Sequence, residues 1–169
     1  NYGQLYSSKQ IKLGVKSYLL CFFLFHGLSF TAKSTEIEDV RVLFHKAESS
    51  QKVCIELIEL LEPYNDKNNA LFLGYRGSAN MLMAKHLINP FSKLSYFKKG
   101  KLMLEKAIQF DQKNIELRCL RYTIQTNVPS FLNYSDNKEN DRAFLLQSLN
   151  SLIDLKLKNI ISNYLKKAS

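Results

Sequence analysis

From residue 35 onward, apolar side chains recur every three or four positions, and almost nothing follows the two-residue period of a strand. Thr35 with Glu38 reads as a capping box, and Ile37, Val40, Phe44 and Ala47 then share one helical face. Ser49-Ser50 interrupts, and Val53, Leu57, Leu60 and Leu61 carry a second helix that Pro63 closes. Asn65-Asp66 is expected to open a third, with Ala70, Leu73, Gly74, Gly77, Met81 and Ala84 on one face. Asn89-Pro90, a cap followed by proline at the first helical position, starts a fourth that ends near Asp111. Its inward stripe is Leu94, Phe97, Gly100, Leu104 and Ala107; Ile115, Leu117, Leu120 and Ile124 follow in a fifth. The connection from Asn127 to Ser135 carries three apolar anchors, Phe131, Leu132 and Tyr134. Asp136 with Glu139 and then Asp154 are the expected caps of the last two helices. The fold class is all-α, with about six or seven helices.

A chain of 169 residues with 46% hydrophobic side chains suits one domain with a real core. Its 24 basic against 15 acidic residues leave a formal charge of +9, which raises the question of nucleic acid. Lys98, Lys99, Lys101 and Lys166-Lys167 form basic patches, but no aromatic stacking surface accompanies them. Nucleic acid is therefore not an expected partner.

Part of the charge belongs to the front of the chain. Lys9, Lys12 and Lys16 precede an apolar run, Tyr18 to Phe30, of 13 residues. A membrane span needs about 20, whereas a secretory signal core needs roughly 7–15. Small residues after the run offer cleavage after Ser29 or after Ala32. Residues 1–32 are thus expected to be an N-terminal extension with a secretory signal, and 33–169 a single helical domain. Without those three lysines, 21 basic residues face 15 acidic ones, leaving +6. The expected location is exported, periplasmic or secreted, with anchoring by an uncleaved signal as the alternative and the only membrane contact. Export leaves Cys54 and Cys119 in an oxidising compartment, where they form one disulfide or stay as buried thiols.

Gly100, Leu104 and Ala107, within the run from Gly100 to Asn114, stand at the small–large–alanine spacing of a tetratricopeptide-repeat second helix, which this segment resembles. Leu73-Gly74 is similar to the Leu-Gly pair of such a repeat's first helix. The spacing from Gly74 to Ala107 is a whole repeat long, and Gln112 stands where the family has proline. The resemblance covers about residues 67–126. It implies a short, irregular stack of antiparallel helical hairpins, with a compact helical bundle as the alternative.

No recognisable catalytic motif occurs: there is no Gly-rich phosphate loop, Gly-x-Ser-x-Gly elbow, Cys-x-x-Cys pair or His-Glu-x-x-His helix. Met81, Met83 and His86 are a weak soft-metal set, because residues two apart leave a helix on different sides. No catalytic residue, cofactor or metal is expected. Asn114, Arg118, Arg121 and Gln125, spaced four, three and four, lie on one stripe of the fifth helix, and Arg76 and Asn80 make an i,i+4 pair on the third. In the repeat family first helices line a concave surface. Arg76, Asn80, Arg118, Arg121 and Gln125 are accordingly the expected partner-binding residues, favouring carboxylates or phosphates. The expected function is a non-catalytic adaptor or assembly factor that binds a peptide or protein in that groove, an acidic one being favoured. The alternatives are a periplasmic enzyme of unrecognised class and a helical carrier of an anionic small ligand or lipid.

Overall fold

The computed structural model describes residues 36–65 and 67–167; the apolar run 18–30, its cleavage sites and Thr35 lie outside them. Among the described residues the chain is all-α and contains no strand. Seven α-helices follow in order: α1 (Ile37–Ala47), α2 (Gln51–Leu60), α3 (Ala70–His86), α4 (Pro90–Phe110), α5 (Ile115–Asn127), α6 (Lys138–Ser148) and α7 (Leu155–Lys167). Single 3₁₀ turns occupy Ser130–Leu132 and Leu149–Ser151.

Caps set the ends. Asn89 accepts from the amides of Phe91 and Ser92, and Asn114 from those of Glu116 and Leu117. Asp154 Oδ1 accepts from Leu157 at 3.0 Å, which opens α7. Each bond satisfies a first-turn amide that has no partner within the helix. Other starts differ from expectation. The third helix begins at Ala70, capped by Asn69, because Asn65 spends its side chain on a turn with the Lys67 amide. Asn137, rather than Asp136, precedes α6 and makes no side-chain cap bond. Glu36 precedes α1, also without one, and Glu38 turns instead to Arg41 and Lys156.

The longest hairpin is α3 with α4, and two glycines let its backbones touch. A Cβ on Gly77 would stand 2.7 Å from both the Gly100 carbonyl oxygen and the Leu104 nitrogen; one on Gly100 would meet the Gly77 carbonyl oxygen and Met81. Gly74 sits against Leu104, Ala107 and Leu117, so the small-residue stripe seats both α4 and α5. Because Gly77 faces Gly100 while Gly74 faces Ala107, the two helices run antiparallel.

The main core joins Val40, Leu57, Leu61, Leu73, Leu104 and Leu117. A second cluster packs Cys119, Tyr122 and Leu145 against Leu157, Ile161 and Leu165 of α7. Glu56, Glu59 and Glu62 form a solvated face. Of the three loop anchors, Tyr134 is buried and Leu132 half-buried, whereas Phe131 stands 81% exposed. No described helix is long and apolar enough to cross a membrane.

Candidate functional site

Helices α1, α3, α4, α5 and α7 line a half-open cavity of about 960 Å³, the upper end of the size range of small-ligand sites. Phe44 of α1, Met81 and Leu82 of α3, Tyr122 and Ile124 of α5, and Ile160 and Tyr164 of α7 form the walls. Phe97 of α4 and Leu132 complete them. Burial pushes the Tyr164 hydroxyl up to about 12, with the Glu48 charge adding to the effect, so this wall stays neutral. Tyr122 is only 1% exposed, yet its hydroxyl has no hydrogen-bond partner, and neither has the hydroxyl of Thr126 one turn later. A buried hydroxyl left unpaired costs free energy until something supplies a partner. Glu48, Lys85 and Lys93 contribute charged groups around the cavity and His45 an imidazole, all four on exposed residues.

The other end of the same helices is tied together by Arg41. Its Nε and Nη2 donate to the two carboxylate oxygens of Glu116, both at 2.7 Å. Nη1 donates to Glu38 at 2.6 Å and to Asp154 at 2.9 Å. Tyr75 donates its hydroxyl to Glu116 Oε1 at 2.5 Å. One guanidinium, 8% exposed, therefore joins α1 to α5 and to the cap of α7. Glu116 above all holds the guanidinium charged, and burial beside the Glu116 charge drives the Tyr75 hydroxyl far above its ordinary value. Arg41 was absent from the sequence expectation; its signal is an arginine bordering the apolar stripe of Ile37, Val40 and Phe44.

A second network has the same chemistry. Asp141, fully buried on α6, accepts from Arg121 Nε at 2.6 Å and Nη2 at 2.9 Å, and also from Arg118 Nε. Arg121 Nη1 reaches Glu105 at 2.9 Å, and Tyr134 donates to the other Glu105 oxygen at 2.5 Å. The Arg118 guanidinium also lies 4.7 Å from the centre of the Phe144 ring. In each network tyrosine, glutamate, arginine and aspartate meet in that order.

None of the five residues expected to bind a partner lines the cavity. Arg118 and Arg121 do share a stripe, but the stripe faces α6 and Asp141 rather than solvent. Arg76 donates to the Glu62 carbonyl at 3.0 Å with the Glu62 carboxylate 3.9 Å away. Asn80 is fully buried and donates to the Arg76 carbonyl at 2.8 Å. Gln125, 4% exposed, has neither amide atom paired. Asn114 is spent as a helix cap. Tyr122 and Thr126 were not among the expected residues; the sequence signal that points to them is a pair of polar groups four apart on one helical face.

Cys54 and Cys119 are both buried free thiols rather than a disulfide. Burial raises them to about 11 and about 12, so neither has the thiolate character of a nucleophile. Met81 and Met83 are core, and His86 Nε2 lies 2.8 Å from the Ala47 carbonyl oxygen. Among the described residues no three histidine, cysteine or acidic side chains come together as metal ligands would. Comparison with known proteins finds no matching family model, no matching curated protein and no matching solved structure.

Proposed function

We propose that this chain is a non-catalytic, tetratricopeptide-like binding module whose cavity holds a lipid-like amphiphile. The supporting observation is the cavity: large, mostly apolar in its walls, and provided with hydroxyls at Tyr122 and Thr126 that no protein group uses. An apolar chain gains by leaving water for such walls. Lys85 and Lys93 then suit an anionic end, with Glu48 limiting how much negative charge is tolerated. Arg118 and Arg121, expected to grip a partner, are better understood as architecture, since their acidic partners Asp141 and Glu105 lie within the chain. Export fits a carrier of this kind.

Native mass spectrometry of the chain titrated with palmitate, lysophosphatidylglycerol and a short apolar peptide tests the reading. One amphiphile per chain is expected, lost when Ile124→Trp fills the cavity. Lys85→Glu with Lys93→Glu is expected to weaken binding roughly tenfold, equivalent to about 1.4 kcal/mol. Uptake of the peptide alone would move the function to an adaptor for an apolar protein segment. No uptake by a folded chain would dismiss the cavity as a binding site.

A further inference from the structure

Large apolar side chains stand out of the protein beside the cavity. Ile88 is 96% exposed and Phe91 83%, flanking Pro90, which lines the cavity with Lys93 and Leu94. Phe131, 81% exposed, lines it from the other side of the chain's turn after α5. Exposed apolar side chains at or next to residues that line one cavity are candidates for leaving water together. Lys85 and Lys93 line the same cavity and are both exposed. Apolar and aromatic tips interspersed with lysines suit the boundary between acyl chains and anionic headgroups, where the tips insert and the ammonium groups stay with phosphate. Pro90, Lys93 and Phe131 are both exposed and part of the cavity lining, so a surface that meets them also meets the cavity.

We propose that the rim of Ile88, Phe91 and Phe131, with Lys85 and Lys93, docks the protein onto an anionic lipid surface. The docking rests on the cavity reading for its purpose, delivery or collection of the amphiphile, but its geometry stands without it. The sequence also carries the apolar run 18–30, so the test reports position by position.

The chain contains no tryptophan, so a single introduced indole reports its own surroundings. Phe91→Trp, Phe131→Trp and Phe110→Trp are each made in the full chain. Phe110 is 61% exposed and closes α4, about 28 Å from Phe91 at 1.5 Å per residue. With vesicles of phosphatidylcholine and phosphatidylglycerol, Trp emission at 91 and 131 is expected to shift to the blue and to be quenched by spin-labelled acyl chains. At position 110 neither change is expected. Pure phosphatidylcholine and high salt should each reduce the response, since screening removes the lysine attraction. Silence at 91 and 131, or an equal response at 110, overturns the docking. A blue shift that grows with protein concentration before vesicles are added assigns the rim to a second copy instead, and likewise overturns it. Amphiphile uptake is read separately without any vesicle, so either idea can fail alone.

Discussion

Arg121 spans both oxygens of the Asp141 carboxylate, with Nε to Oδ2 at 2.6 Å and Nη2 to Oδ1 at 2.9 Å, at the junction of α5 and α6. Neither side chain has an equivalent partner in solvent, Arg121 being 7% exposed and Asp141 not at all. Removing one member of such a buried pair strands the other. Asp141→Ala is therefore expected to destabilise the fold by about 3–5 kcal/mol. Urea denaturation measures it, and a loss below that of an ordinary surface substitution contradicts the network. Asp141→Asn keeps an acceptor and should cost less.

The two glycines at the α3–α4 contact have a different dependence. Alanine gains about 1 kcal/mol of helix propensity, but a Cβ at Gly77 or Gly100 meets backbone that cannot swing aside. Net destabilisation of about 1–3 kcal/mol is expected for Gly77→Ala and Gly100→Ala. Gly74→Ala should be milder, because its nearest obstacle is the end of the Leu117 side chain. Thermal melts of the three variants give the order.

Acid should loosen the Arg41 junction. The Lys156 and Arg41 hydrogen bonds hold Glu38 below its ordinary value, and the Leu157 amide with Arg41 does the same for Asp154. A group depressed in the folded state stabilises above its unfolded value and loses that contribution as pH falls through its folded value. Stability should thus decline as pH drops below about 4.5 and continue through 3.8, the two unperturbed values. Arg41→Met should flatten that decline in urea titrations at several pH values; an unchanged profile removes Arg41 from the acid response.

The thiols predict the alkaline side. Cys54 and Cys119 are raised by burial, so the unfolded chain releases their protons near 9 while the folded chain holds them to about 11 and about 12. Fewer protons bound in the unfolded state means stability falls as pH rises above 9. Iodoacetamide should label neither cysteine in the native described domain and both in urea. Rapid native labelling of either would show that its burial is not maintained.

Much of the framework was legible from spacing alone. Asn89-Pro90, Asp154 and the stripe Gly74, Gly77, Gly100 and Leu104 depend on interactions within a few residues, or on a helical period that any partner must respect. The same local logic put Arg118 and Arg121 on one face. It could not say what that face meets, because Asp141 lies 20 or more residues away, beyond the reach of any helical period. Arg41 is the stronger case: its partners Glu116 and Asp154 are 75 and 113 residues distant. Helix type and face, and the ends at Asn89-Pro90 and Asp154, were decided by sequence, since propensity, capping and periodicity act over one or two turns. Which charges are satisfied, and that α1 and α7 meet around a cavity, were decided only when long-range packing chose a partner for each face.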